Sequence, residues 1–163
     1  MQFGQLKRRE FITLISGAAT AWPLAAHAQQ GTMPVIAYLS VGAPVAHFLA
    51  VFKQSLAEAG FIEGRDVVIE TPSADGSYDR LPALAVDLVR RQVAVIVAIT
   101  ANPALAAKDA TATIPIGFNV ADDPVELGLV ASLARPGGNA TGVSFLFTEL
   151  VAKHLGLLRE LLP

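Results

Sequence analysis

Val93-Ala94-Val95-Ile96-Val97-Ala98-Ile99, an unbroken apolar run closed by Thr100-Ala101-Asn102-Pro103, decides how this chain folds. A strand with one face in water alternates apolar and polar residues. A run apolar at every position suits a strand covered on both faces, which is the environment of a parallel sheet. The flanks carry the same message. Before the run, Leu81, Leu84, Ala85, Leu88 and Val89 recur at i, i+3, i+4, i+7 and i+8, one stripe of an amphipathic helix. Arg90 and Arg91 fall in its last turn, where they complement the helix dipole. After the run, Asn102 followed by Pro103 predicts the N-cap and first residue of another helix.

The pattern repeats outward. Val35-Ile36-Ala37-Tyr38-Leu39 is a second run of the buried type, ended by Ser40-Val41-Gly42. Pro44 then opens a helix whose stripe is Phe48, Phe52 and Leu56, with Leu49 beside it, and Gly60 ends it. Val67-Val68-Ile69 reads as a short strand, followed by a turn at Ala74-Asp75-Gly76-Ser77. Pro115 to Val120 predicts a fourth strand, and Thr141 to Phe145 a fifth. Between them, Asp123-Pro124-Val125-Glu126 has the residues of a capped helix start, and Pro136-Gly137-Gly138-Asn139 those of a turn. A last helix is expected from about Thr148 to Leu162, with Leu150, Leu155, Leu158 and Leu162 near one face. Five βα units in series imply an α/β fold: an open, parallel, five-stranded sheet with helices on both faces, a Rossmann-like lobe.

The N-terminus reads as an address. Lys7-Arg8-Arg9 precedes the mostly apolar stretch Phe11 to Leu24, and Ala26-His27-Ala28 has the small residues of a signal-peptidase site. The paired arginines before Glu10-Phe11-Ile12 look like a twin-arginine signal, although a general secretory route would accept the same residues. Residues 1–28 are therefore expected to be a cleaved export signal, and 29–163 the folded lobe. Cleavage would remove three of 12 basic and one of 14 acidic residues, taking the net charge from -2 to -4. That balance gives no basic footprint for nucleic acid. The chain has no cysteine, which excludes a disulfide framework, a thiol nucleophile and a lipidated N-terminal cysteine.

Open parallel sheets bind ligands beyond the carboxyl ends of their strands, where helix N-termini converge. The candidate ligand-binding residues are accordingly Ser40, Gly42, Tyr78, Thr100, Ala101, Asn102 and Asp122. Ser40 and Thr100 offer hydroxyls, Gly42 allows close approach of backbone, and Tyr78 offers a ring face. Asn102 and Asp123 also fit as helix caps, and Asp122-Asp123 has no further carboxylate near in sequence to make a metal site. His47 and His154 lack metal-ligand spacing. There is no P-loop, G-x-G-x-x-G or G-x-S-x-G motif, so neither a cofactor nor a catalytic residue is expected.

Longer stretches carry a resemblance. Tyr78 to Ala85, Asp87 to Ile96, Asp123 to Leu133 and Arg135 to Phe145, with the Arg8-Arg9-Glu10-Phe11 leader, resemble ABC transporter substrate-binding proteins. The resemblance implies a type I periplasmic-binding fold, in which two lobes close on a ligand and deliver it to a permease in the inner membrane. It implies a small-molecule ligand, an amino acid or another small organic solute, a periplasmic location and no enzymatic activity. Some relatives bind aromatic amino acids. It also implies a second lobe of similar size, absent before Pro163, so the expectation is an N-terminal lobe that is truncated, split, or completed by a homodimer partner. Two other kinds of protein use the same scaffold. An exported flavodoxin-like enzyme would need a nucleophile–base pair, and a regulatory or interaction domain an acidic cluster after the first strand; neither feature is present.

Overall fold

The computed structural model describes residues 33–145 and 147–161; the expected export signal and Leu162 lie outside these. Five strands, β1 (Val35–Leu39), β2 (Val68–Glu70), β3 (Val95–Ile99), β4 (Ile116–Val120) and β5 (Ala140–Ser144), form one sheet. Their order is β2-β1-β3-β4-β5, and every pairing is parallel. The helices are α1 (Ala46–Glu58), α2 (Leu81–Arg90), α3 (Ala101–Ala110) and α4 (Phe147–Leu161). None of them is long and apolar enough to cross a membrane.

Register explains the core. Ala37, Ile96, Ile116 and Ala140 stand side by side across four strands, and Leu39, Ala98 and Phe118 form the next row. Side chains two apart share a face, so both rows point the same way, and all these residues are buried. Leu81, Ala85 and Leu88 of α2 and Ala104 and Ala107 of α3 are buried too, and all but Ala85 belong to the same cluster. Each large aliphatic side chain so enclosed contributes about 2 kcal/mol. The intervening residues Ile36, Tyr38, Val95 and Val97 face the other way, toward α1. There the rings of Tyr38 and Phe52 pack at 5.6 Å with a 56° tilt. Helices thus cover both faces.

Three local expectations need correcting. Strand ends differ by one or two residues, and β5 closes at Ser144, so Phe145 lies past its end. Asn102 is not the cap of α3. Thr100 holds that position, with φ 77° and ψ 169° and no side-chain capping bond, which puts Asn102 inside the first turn and buries Pro103. Nor does a helix form after Asp123, so the described residues hold four α-helices and not five. The Asp123 carboxylate accepts the Val125 N–H at 2.7 Å and the Asp123 carbonyl accepts the Leu127 N–H at 3.0 Å, but Gly128 then turns left-handed, φ 71°. Leu129 and Val130, both bonded to the Pro124 carbonyl, dive into the core. Burying that pair outweighs continuing a helix that would leave it in water.

The glycine end of α1 is as expected. Gly60 has φ 92°, and the Phe61 N–H reaches back to the Leu56 carbonyl at 2.9 Å. This is a Schellman closure. The stripe on α1 divides, however. Leu49, Phe52 and Leu56 are half-buried against the sheet, whereas Phe48 is 62% exposed. Residues four apart drift by about 40° on a helix, and Phe48 lies at the end where the sheet no longer covers it.

Candidate functional site

The strand order places β1 beside β3, yet the chain leaves them in opposite directions, toward β2 through α1 and toward β4 through α3. The two loops therefore part, and a crevice opens between them. A cavity of about 240 Å³ fills that crevice, lined by Tyr38, residues 40–45, Phe48, Tyr78, Ile99 and Thr100.

Each wall has a local cause. The segment after β2 is zipped to the end of β1. The Ser40 N–H donates to the Pro72 carbonyl at 3.2 Å, the Ala74 N–H to the Ser40 carbonyl at 3.1 Å, and the Gly76 N–H to the Val41 carbonyl at 2.8 Å. Ala74 is fully buried as a result. Asp75 and Gly76, both left-handed, reverse the chain and bring Tyr78 up beside the β1 loop with its ring 57% exposed. Arg80 ties this corner by pairing with the Asp75 carboxylate. On the far side, the Thr100 N–H donates to the Asn119 carbonyl at 2.9 Å, so β4 holds the loop that follows β3.

The polar groups are few. The Ser40 hydroxyl donates to the Gly42 carbonyl at 2.7 Å, which leaves its lone pairs as acceptors and stiffens the loop. The Thr100 hydroxyl caps nothing. With no side-chain cap, the first N–H groups of α3 remain free donors at the rim. Burial pushes the Tyr38 phenol above its usual pKa, so it stays neutral beneath the cavity. Such a site can receive a small solute with one apolar or aromatic part, against Tyr78 and Phe48, and one polar part.

Four of the seven sequence candidates meet here: Ser40, Gly42, Tyr78 and Thr100. Ala101 and Asn102 lie just outside the lining, on the first turn of α3. Asp122 belongs to the bend after β4, where its carbonyl accepts the Ser144 hydroxyl at 2.8 Å. Tyr38, Val45, Phe48 and Ile99 line the cavity without having been singled out as site residues. Phe48 was legible, being one turn beyond Pro44 at the start of a helix that springs from the β1 loop. A larger hollow of about 550 Å³ lies at the opposite end of the sheet, around Lys108, Thr111 and Asn139. Its polar groups are already spent: the Lys108 amine bonds the Gly128 and Leu129 carbonyls, and the Asn139 amide bonds those of Thr111 and Ile114. The crevice at the switch point is therefore the candidate site.

A five-stranded parallel lobe with a shallow cavity at its switch point defines a class, the open α/β lobes that take ligands beyond the carboxyl ends of their strands. Comparison makes this specific. The sequence profile described as ABC transporter substrate binding protein matches residues 35–163, and the chain belongs to that family. It is 35% identical over 112 residues to a tyrosine-binding protein of Clostridioides difficile, a match covering 69% of this chain and 32% of that protein. Among solved structures it resembles the ligand-free, open form of a substrate binding protein with adhesive properties from Clostridium difficile, with TM-score 0.64 and 30% identity. A domain from Streptococcus pneumonia in complex with L-Trp matches with TM-score 0.61 and 28% identity. Both structural matches cover 69% of this chain and 39% of the other. The chain thus spans about a third of the length of the curated relative it matches.

Proposed function

We propose that this chain supplies one wall of the ligand-binding cleft of a solute-binding protein for an ABC importer, working in the periplasm with a permease in the inner membrane. The ligand is a small amino acid with an aromatic side chain. The observation that carries this reading is the cavity at the β1/β3 switch point, whose lining combines the exposed Tyr78 and Phe48 with Ser40 and Thr100. It agrees with the tyrosine and tryptophan ligands named for the relatives. The aromatic rings offer stacking surface for a phenol or indole. The free N–H groups at the start of α3 suit the carboxylate.

One wall binds weakly. A closed cleft with a Kd of about 1 μM holds its ligand by about 8.2 kcal/mol, and half of that corresponds to roughly millimolar affinity. Titration of the full chain with L-tyrosine and L-tryptophan, followed by amide chemical shifts, is expected to give saturable, roughly millimolar binding. The shifts should centre on Ser40, Gly42, Tyr78 and Thr100, and L-glutamate should give none. Perturbations around Lys108 instead, or no response up to about 10 mM, would refute the assignment. Sub-micromolar binding would refute the single-wall account.

A further inference from the structure

Thr100 stands in a conformation that its side chain opposes. At φ 77° and ψ 169° it occupies backbone territory that belongs almost entirely to glycine. A β-branched residue is the worst fit there, because its two Cβ substituents meet the flanking peptide groups. Strain of this kind persists only where the surroundings over-determine it. Here the Thr100 N–H is fixed by the Asn119 carbonyl at 2.9 Å, and its own carbonyl accepts the first bond of α3, from the Ala104 N–H at 3.4 Å.

Among the described residues, nothing in the fold uses the side chain that causes the strain. It makes no capping bond to α3, and it is exposed. Among the described residues its hydroxyl has no partner. What Thr100 does touch is the cavity, whose lining it shares with Ser40, Gly42 and Tyr78. In a space of about 240 Å³, the volume of one threonine side chain is a sizeable share of the room available.

We propose that Thr100 is a specificity-determining residue: it holds the cavity narrow, at a cost in fold stability, and so sets the ring size the site accepts. This rests on the aromatic-ligand reading given above, and the experiment separates the two. Thr100→Gly, Thr100→Val and the unaltered full chain are compared in thermal unfolding and in titrations with L-tyrosine and L-tryptophan. Glycine releases the backbone, so Thr100→Gly should raise Tm by about 3–8 °C. By opening the wall it should also move the tryptophan-to-tyrosine affinity ratio roughly threefold or more toward tryptophan. Thr100→Val keeps the shape without the hydroxyl and should leave the ratio unchanged. A Tm that falls in Thr100→Gly, or a ratio that stays put while binding persists, overturns the proposal alone. A ratio that moves equally in Thr100→Val overturns it in favour of a hydrogen-bonding role. If the unaltered chain binds neither amino acid, the aromatic-ligand reading fails and the proposal falls with it.

Discussion

Replacing Gly142 with alanine should unfold the lobe far more easily than its surface position suggests. Gly142 is exposed and its φ is not left-handed, so by exposure alone the change would cost almost nothing. Its neighbour across the β4–β5 ladder is Phe118. A Cβ at position 142 would stand 2.0 Å from the Phe118 carbonyl oxygen, 2.7 Å from its carbonyl carbon and 2.6 Å from ring atom Cδ2. Carbon and oxygen settle at about 3.3 Å, so β5 must retreat by roughly 1.3 Å. Backbone hydrogen bonds do not survive such a stretch. Losing two of them costs about 2 kcal/mol, and displacing Phe118 within a packed core adds about 1–3 kcal/mol. The total, about 3–5 kcal/mol, is a large part of the stability of an ordinary domain. Urea unfolding of the full chain followed by far-ultraviolet circular dichroism measures it, with Gly117→Ala as control. A Cβ on Gly117, in the middle of β4, meets nothing within 4 Å, so that variant should stay within about 0.5 kcal/mol of the parent. A Gly142→Ala midpoint equal to the control would refute the strand register from which the clash follows.

Two other expectations concern single side chains. Asn139→Ala should destabilise by about 1–3 kcal/mol in the same urea assay, because its amide donates to the Thr111 and Ile114 carbonyls at 3.1 and 2.7 Å and holds the α3–β4 loop. Loss of those bonds would show as faster hydrogen exchange at residues 111–115, and unchanged exchange there would count against the role. The Asp66 carboxyl lies below the usual carboxylate range, held there first by its bond to Arg65 and then by the Ile62 N–H. A depressed pKa stabilises the fold above the ordinary carboxylate value and loses that effect as the pH falls through the folded value. The Tm gap between parent and Asp66→Asn should therefore be widest near neutral pH and close below about pH 4; a gap that grows on acidification would contradict the sign.

The architecture was readable because it rests on patterns that one chain carries by itself. A run such as Val93 to Ile99 has no polar face to offer water, and a stripe such as Leu81, Ala85 and Leu88 has only one dry side. Those two constraints leave little but a covered parallel sheet. The loops after the strands were legible for the same reason, since a parallel sheet collects them at one end. Ser40, Gly42, Tyr78 and Thr100 were chosen on that ground, and the fold gathers them around one cavity.

What the sequence could not decide was each competition between a local preference and a distant partner. Asp123-Pro124 has the residues to start a helix, yet Leu129 and Val130 gain more by entering the core. Asn102 is a better cap by type than Thr100, but the Asn119 carbonyl on β4 fixes where α3 begins. Phe48 repeats with Phe52 and Leu56, and only the extent of the sheet beneath α1 separates a ring that packs from one that lines a cavity. Propensity and periodicity act over a few residues and are written in order along the chain. Burial and register join residues far apart in sequence, and they exist only once the strands have paired.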